Sequence, residues 1–454
     1  VCKGFVGDTS HQIVRCSRHV EKGTYYVTGT IKNLHSRRVW DSRGRPTVEV
    51  DVHLSGGTMG RAIAPAGAST GSAEAVDKRD GGKTFGGYDV QHAVSSVNGE
   101  LSDLLKGRDV TDQAGADQAM IDLDGTPNKC RLGGNALVAT SMAIAHAAAA
   151  SAGVPLWSYL AGNATDLFMP LPEIQIFGGG AHAGRRVDVQ DFMVIAVGAT
   201  SYAQSLEWTA EVYMTAGKLM SDAGLMQGVA DEGGFWPAFN SNEQALDFLV
   251  RSIEGAGFTP GQDIAISLDI AATDFGKNGR YRLSTDDRDV DSDGLSEMLL
   301  GWLQRYPIVA IEDPLGEDDA DAMAKFTLAA GNKIEVVADD FICTTQAKIE
   351  TALSIGACNT ALIKPNQAGT LTESKAALDA ARLAGWESLV SARSGETEDV
   401  TIVHLAVGWG VKQLKVGSFT RSERMAKWNE GLRVAEALGQ NDGTLAPRSS
   451  FPWG

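Results

Sequence analysis

Six short apolar segments in the second half of the sequence each carry an ionisable residue at or near their end. The segments AISLDI, IVAIED and EVVADD carry acids, and TALIK, LVSAR and KQLKV carry bases. The residues concerned are Asp269, Glu312, Asp339, Lys364, Arg393 and Lys415. One charge after a strand commonly starts a loop and nothing more, but six in series, acids first and bases after, indicate one shared site.

Three carboxylates with no neighbouring Cys or His form a hard oxygen donor set, which suits Mg²⁺ better than Zn²⁺. Without a cation, Asp269, Glu312 and Asp339 would repel one another and raise their own pKa values. We therefore expect these three residues to bind a divalent metal ion. Lys364 and Lys415 lie across the same site and can divide two roles. One lysine, with its pKa lowered by nearby cations, can act as a base, and the other can bind an anion.

A further carboxyl group comes from the segment VADEGGFWP, residues 229–237, which places Asp231 and Glu232 just before two glycines. A loop of this kind can present a carboxyl group over the site as a general acid. The DEGG sequence on its own is also a common turn, so its assignment depends on the rest of the site.

The elements that must position these residues follow from the spacing of the charges. From Glu312 on, the charges recur every 22 to 29 residues, which matches one strand, loop, helix and loop. Parallel strands of a closed barrel direct their C-terminal ends to one mouth, where barrel enzymes place their chemistry. The sequence therefore predicts a βα barrel catalytic domain over residues 166–454.

A different pattern precedes the barrel. Residues 47–54 alternate apolar and polar side chains, two glycines then mark a turn, and a second strand is expected around residues 61–64. An Ala-rich helix is predicted near residues 134–152. Strands first and helices after predict an α+β capping domain over residues 30–165, so the predicted fold class is α/β.

Composition excludes several classes of function. The chain has 454 residues and a net charge of −17, from 57 acidic and 40 basic residues, which opposes binding to nucleic acid and to anionic membranes. No apolar run approaches the roughly 20 residues that span a bilayer. Five cysteines without a CxxC spacing predict reduced thiols in a cytoplasmic protein. Residues 1–29 lack a strong period and are interpreted as a disordered extension.

Eight segments, in order along the chain from about residue 31 to the C-terminus, resemble those of the enolase (phosphopyruvate hydratase) family. They are DSRGRPTVEV, GASTG, DEGGF, SLDIAATDF, IEDP, LIKPNQAGTLTE, SARSGETED and RSERMAKWNEGLR. The resemblance implies an α+β capping domain followed by a TIM-like βα barrel, and a homodimer. It also implies the reversible dehydration of 2-phosphoglycerate to phosphoenolpyruvate through an ene-diolate, with two Mg²⁺ ions per site.

The resemblance gives the strand-end residues individual roles. Lys364 would be the base that removes the C2 proton of the substrate. Asp269, Glu312 and Asp339 would hold the first Mg²⁺, which makes that proton acidic enough to remove. Lys415 would bind the carboxylate end of the substrate.

The remaining roles implied by the resemblance concern the phosphate and the leaving group. Arg393 and Ser394 would bind the phosphate, whose oxygens match the fork of an Arg side chain. Glu232 would protonate the departing hydroxide. Ser69, in GASTG, would close over the site and ligate a second Mg²⁺ that arrives with the substrate.

Two histidines receive opposite interpretations. His182, in the glycine-rich segment GGAHAG, would lie beside the phosphate or the acid, with Gln190 and Asp191 supporting it. His146 lies in the Ala-rich segment and is interpreted as a packing residue.

The sequence departs from the family pattern on the leaving-group and phosphate side of the site. Ala392, in SARSGETED, stands where the family has a histidine, and Asp191 is shorter than the family's Glu. Gly178 and Arg185 each replace an Asn, and Trp236 replaces an Ala. The metal and proton-abstraction residues keep the family pattern.

Three functions therefore stay open. The first is a phosphopyruvate hydratase whose acid relay uses Glu232, Asp191, His182 and water. The second is a paralogue that acts on another phosphorylated or phosphonylated carboxylate, as carboxyphosphonoenolpyruvate synthase does, with Arg185 suited to a more anionic substrate. The third is a non-catalytic binding or structural protein. The expected ligand is a small anionic carboxylate, and the expected assembly is a homodimer or larger homo-oligomer.

Overall fold

The computed structural model of the protein describes residues 29–68 and 70–454. The predicted extension, apart from Gly29, lies outside the described residues. Ser69, the predicted ligand of a second Mg²⁺, lies outside them as well.

The capping domain begins with a three-stranded antiparallel sheet. Its strands are β1 (Ile31–Trp40), β2 (Pro46–Leu54) and β3 (Met59–Ile63). The predicted hairpin is observed as β2 and β3, with Val50 opposite Ala62. However, β2 is the middle strand, because β1 pairs along its other edge. The alternation of β2 does not expose its polar face, since Asp51 is buried and paired with Arg37 and Arg61.

In the described part of the capping domain, five α-helices accompany this sheet. They are α1 (Gln91–Ser96), α2 (Ser102–Leu105), α3 (Gln113–Asp124), α4 (Gly134–Ala152) and α5 (Leu156–Ala161). Helix α4 is the predicted Ala-rich helix, and its small side chains let β3 approach so closely that a Cβ at Gly60 would lie 2.1 Å from the backbone N of Ala147. Among the described residues α4 is the one helix long and apolar enough to cross a membrane, but 78% of its apolar window is buried inside the protein.

Eight strands of the second domain close into a barrel. They are β4 (Leu171–Gly178), β5 (Asp191–Ile195), β6 (Ala265–Asp269), β7 (Ile308–Glu312), β8 (Glu335–Ala338), β9 (Thr360–Ile363), β10 (Glu387–Ser391) and β11 (Gln413–Ser418). The barrel closes where β11 pairs with β4, at Gln413 and Leu171. The predicted α/β fold, a capping domain ahead of a TIM-like barrel, is confirmed.

Nine helices accompany the barrel strands. They are α6 (Tyr202–Asp222), α7 (Asn242–Gly255), α8 (Ser292–Arg305), α9 (Ala320–Ala330), α10 (Gln346–Ile355), α11 (Pro365–Ala368), α12 (Leu371–Leu383), α13 (Thr401–Gly408) and α14 (Ser422–Ala437). Short strands outside the barrel ring are Met226–Val229, Phe235–Pro237, Gly276–Lys277, Arg280–Leu283 and Arg288–Asp291.

The expectation of parallel strands throughout the barrel is wrong for β5. This strand runs antiparallel to both β4 and β6. The connection between β4 and β5, residues 179–190, holds only a single 3-10 turn, which cannot return the chain to the other end of the barrel. The first residue of β5, Asp191, therefore lies opposite Gly178 and Asp269, at the mouth formed by the ends of the other strands.

The capping domain packs on the loop that follows β10. The backbone of Ala66 pairs with that of Gly395, and the backbone N of Ile63 donates to the carboxylate of Asp399 at 2.8 Å. His146 of α4 lies 2.8 Å from the hydroxyl of Thr401, at the start of α13. The loop of the SARSGETED segment is thus held between the two domains.

Candidate active site

Lys415 lies at the centre of one half of the barrel mouth. Its Nζ donates to Asp269 Oδ2 at 3.0 Å and to Glu312 Oε2 at 2.6 Å, and it lies 3.9 Å from Asp191 Oδ2. Burial disfavours the charged lysine, but these carboxylates raise the pKa of Lys415 well above its ordinary value. Two of the three predicted metal ligands are therefore side by side, bridged by a charged lysine.

The third predicted metal ligand faces the second lysine. Lys364 Nζ donates to Asp339 Oδ2, and Gln367 Nε2 donates to Asp339 Oδ1 at 2.8 Å. Burial works against the charge of Lys364, but Asp339 raises the pKa of this lysine above its ordinary value. This direction is opposite to the lowered pKa expected from the sequence, because the nearest charge is a carboxylate and not a cation.

The carboxylates at this mouth fit a divalent cation. Asp269, Glu312 and Asp339 are all buried, and burial together with Asp269 raises the pKa of Glu312 well above its ordinary value. Among the described residues, Glu312 Oε1 has no hydrogen-bond partner. A buried carboxylate oxygen with no donor, on a side chain that shares the Lys415 ammonium with Asp269, is the kind of oxygen ligand that Mg²⁺ prefers.

Asp313, which is not among the predicted site residues, supports the loop that begins with Asp339. Its carboxylate accepts hydrogen bonds from the backbone N–H groups of Asp339 at 3.0 Å and Asp340 at 2.8 Å. Burial and the charge of Asp339 raise the pKa of Asp313 to about 8. One carboxylate oxygen from each of Asp313, Asp339 and Asp340 lies within 4.8 Å of the other two. The consecutive acids of IEDP and VADD were the signal in the sequence.

The candidate acid residues form a second buried cluster. His182 Nδ1 donates to Asp191 Oδ1 at 2.9 Å, and its Nε2 lies 2.9 Å from Ser394 Oγ and 3.7 Å from Glu232 Oε1. Burial opposes the charged imidazole, yet Asp191 and Glu232 raise the pKa of His182 to about 9. The positively charged form of His182 is therefore favoured at neutral pH, and it contacts both Asp191 and Glu232 on the acid side of the mouth.

Gln175, a buried amide on β4, was missed from the sequence. Its Nε2 donates to Asp191 Oδ1, and its Oε1 accepts from the backbone N of Gly234 at 2.8 Å. Gln175 thus ties Asp191 to the DEGGF turn. An amide in the otherwise largely apolar segment LPEIQIFG was the only local sign of this role.

The predicted phosphate ligands lie against the capping domain. Arg393 Nη1 donates to Glu74 Oε2 at 2.9 Å, and Nη2 donates to Glu74 Oε1 at 3.2 Å. Burial disfavours the guanidinium charge, but Glu74 raises the pKa of Arg393. Gln190, a predicted substrate ligand, donates to Asp269 Oδ2 at 3.0 Å. Glu74 was missed, although it follows the GASTG segment by only three residues.

The positions that depart from the family pattern have distinct environments. Ala392 is buried, and its backbone N donates to the carbonyl of Lys415 at 2.8 Å. A Cβ at Gly178 would lie 2.5 Å from that of Ala230, so no larger side chain fits there without movement. The side chain of Arg185 is 59% exposed and pairs with Asp274.

Comparison with known proteins gives a consistent result. Residues 31–160 match the family described as Enolase, N-terminal domain, and residues 166–449 match Enolase, C-terminal TIM barrel domain. The sequence is also 47% identical over 414 residues to Enolase 1 of Desulfitobacterium hafniense (strain Y51), covering 90% of this chain and 94% of that protein. With both domains matched in order around this mouth of carboxylates and lysines, the chain belongs to the enolase family of carbon–oxygen lyases.

Proposed function

We propose that the protein catalyses the reversible dehydration of 2-phosphoglycerate to phosphoenolpyruvate and water, with Mg²⁺ as cofactor. The observation that carries this proposal is the pair of buried lysines at one mouth. Lys364 faces Asp339, and Lys415 faces Asp269 and Glu312. A base and a carboxylate-binding cation, each in contact with carboxylates that can bind a metal ion, are the groups that abstraction of a proton next to a carboxylate requires.

Asp269, Glu312 and Asp339 are proposed to hold the first Mg²⁺. When bound there, Mg²⁺ would supply positive charge to the substrate carboxylate and so make the C2 proton acidic enough to remove. Ser69 is proposed to ligate the second.

The proposed base is Lys364, which must be neutral when it takes the C2 proton. Asp339 favours the protonated form of this lysine, so engagement of that carboxylate by a cation would lower the pKa of Lys364 toward the working range of a base. Lys415 is proposed to neutralise the substrate carboxylate, and Arg393 and Ser394 its phosphate.

Glu232 is proposed to give a proton to the C3 hydroxyl as the C–O bond breaks, releasing water. His182 and Asp191, which form a hydrogen-bonded pair beside Glu232, would keep that acid in place and return its proton. The side chain of Ala392 can neither donate nor accept a hydrogen bond, so this relay would depend on fewer side chains than the family pattern provides.

The direct test is the ultraviolet absorbance of phosphoenolpyruvate formed from 2-phosphoglycerate and Mg²⁺, with chelator as the blank. Lys364→Ala is expected to abolish both this signal and the exchange of the C2 proton with solvent deuterium, because no other proposed base faces C2. Exchange that persists in Lys364→Ala would refute the role of this lysine, and absence of product at any concentration of the parent protein would refute the reaction.

A second candidate is a paralogue that acts on another phosphorylated or phosphonylated carboxylate. It is favoured by the departures from the family pattern at Ala392, Gly178 and Arg185, which the resemblance assigns to the leaving-group and phosphate side of the site. If 2-phosphoglycerate is not turned over but Mg²⁺ and a phosphonate carboxylate raise the melting temperature, this candidate replaces the first.

The assembly and domain limits are proposals of the same kind. We infer a cytoplasmic homodimer, with a capping domain over residues 30–165 and a barrel over residues 166–454. Light scattering of the purified protein measures the oligomeric state. Limited proteolysis tests the domain boundary, which is expected near residue 165.

A further inference from the structure

Gln367 has no role in the proposed reaction, yet its side-chain amide makes hydrogen bonds to three other residues. It belongs to the short helix α11, directly after Lys364, and is 2% exposed. Its Nε2 donates to Asp339 Oδ1 at 2.8 Å and to Glu74 Oε1 at 3.2 Å. Its Oε1 accepts from Thr344 Oγ1 at 2.7 Å. One amide therefore bridges a barrel carboxylate and a capping-domain carboxylate.

The orientation of this amide is determined by its partners. Carboxylates only accept hydrogen bonds, so a flipped amide would place its oxygen against two negative charges. Thr344, which donates to Gln367 Oε1, has a φ of 47° and also accepts from the backbone N of Lys364 at 2.9 Å. A β-branched residue rarely adopts that backbone conformation, and it persists here where its hydroxyl makes both contacts.

Each of the two bridged carboxylates also contacts a cation of the site. Asp339 Oδ2 accepts from Lys364 Nζ, and Glu74 pairs with both terminal nitrogens of Arg393. A continuous chain of contacts thus runs from the proposed base to the proposed phosphate ligand through Gln367. Glu74 also accepts from the backbone N of Gly71, the last residue of the GASTG segment.

We propose that Gln367 is a positioning residue that couples the cation-binding half of the mouth to its anion-binding half. This inference rests on the proposed function, which assigns Asp339 to Mg²⁺ and Arg393 to phosphate. By holding one oxygen of each carboxylate, Gln367 fixes the directions of Asp339 Oδ2 and of the Glu74 carboxylate that pairs with Arg393. Without the amide, both buried carboxylates lose a donor and both ligand sites lose their orientation.

Gln367→Met tests the coupling, because it keeps most of the side-chain volume and removes both donors. Dissociation constants for Mg²⁺ alone and for inorganic phosphate alone would be measured by calorimetry on the full chain. We expect the Mg²⁺ constant to rise about tenfold or more, as for other loss of an outer-shell partner, and the phosphate constant to rise in the same variant. A lower melting temperature with both constants within about twofold of the parent, a purely structural loss, would overturn the inference.

Two further variants make the result specific. Gln413→Met removes an equally buried amide, which donates to Glu335 at 3.0 Å at the opposite end of the barrel, and is expected to lower the melting temperature but leave both constants unchanged. Gln367→Asn keeps a polar amide at the site but withdraws it by one methylene. The dissociation constants for Mg²⁺ and phosphate should therefore rise again, in a variant expected to fold more readily than Gln367→Met.

The outcomes separate this inference from the proposed function. If the parent protein binds neither Mg²⁺ nor phosphate, the proposed function fails and the coupling fails with it. If the parent binds both and the Gln367 variants bind them equally well, only the coupling is refuted.

Discussion

At the scale of single residues, the acid side of the mouth includes two residues, Asp191 and Ala392, whose types depart from the family pattern. Asp191 receives hydrogen bonds from both His182 and Gln175, and Glu232 lies beside the histidine. The missing imidazole at Ala392 removes one donor and acceptor from this region. The chemistry of the leaving group therefore depends on how firmly the remaining side chains are placed.

Gln175→Leu is expected to lower kcat more than it raises KM. The change removes the donor to Asp191, and loss of one hydrogen bond to a charged group corresponds to about tenfold to hundredfold in rate. Steady-state kinetics would measure kcat and KM of the variant and the parent over a range of pH. The pH profile of kcat should also shift, because the pKa of His182 depends on its contact with Asp191. A rise in KM alone, with kcat unchanged, would contradict a role for Gln175 on the acid side.

Ala392→His is expected to raise the rate of phosphoenolpyruvate formation, since it restores a group that can donate and accept a proton. The matched control is Ala392→Phe, which adds comparable bulk without that capacity and is expected to lower the rate. Equal or lower activity in Ala392→His would favour a substrate other than 2-phosphoglycerate.

At the scale of secondary structure, α4 and α13 meet at two histidines between the domains, of which His404 is buried and His146 is half-buried. The rings of His146 and His404 lie 6.3 Å apart, and His404 Nε2 lies 3.4 Å from Glu430. Among the described residues, His404 Nδ1 has no partner. His146, interpreted from the sequence as a packing residue, is half-buried, and its ring lies within hydrogen-bond distance of the Thr401 hydroxyl.

This interface is expected to weaken in mild acid. Burial, only partly opposed by Glu430, lowers the pKa of His404 to about 4. The unfolded chain binds the proton near pH 6.5 and the folded chain only near pH 4, so the free energy of unfolding falls as the pH decreases between these values, by up to about 3 kcal/mol. Urea unfolding from pH 7 to 4 measures the slope, and His404→Gln should flatten it; an unchanged slope would exclude His404 as the cause.

At the scale of the whole molecule, Trp453 packs against the end of the barrel opposite the active site. Trp453 Nε1 donates to Glu335 Oε2 at 3.1 Å, and Gln413 Nε2 donates to the same oxygen at 3.0 Å. Within the described part of the chain, Glu335 Oε1 and Gln413 Oε1 both lack a donor. A single proton on Glu335 would satisfy both oxygens, since it would complete a cyclic pair of acid and amide.

Stability is accordingly expected to fall as the pH rises toward 8. Burial raises the pKa of Glu335 to about 8, so the folded chain keeps a proton that the unfolded chain releases near pH 4.5. Glu335→Gln mimics the protonated acid and should remove this dependence while keeping the contact with Trp453. Melting temperatures from pH 5 to 9 test this, and a variant that still loses stability to the same extent would contradict it.

Much of the fold and the identity of the strand-end residues could be predicted from the sequence alone. The recurrence of charges from Glu312 to Lys415 and the collinear motifs depend on local composition and order, which a sequence displays directly. The Ala-rich helix α4 and the hairpin of β2 and β3 were predictable for the same reason. These features are set by side-chain periodicity over one element at a time.

Tertiary structure alone decided how those residues meet. The reversal of β5 brings Asp191 to the mouth, and the contact between Glu74 and Arg393 joins residues 319 positions apart. Gln175 and Gln367 could not be found from spacing, because a buried amide acquires its role from the two groups it bridges. Which carboxylate faces which lysine is likewise a property of the closed barrel, where hydrogen bonds must be satisfied without water.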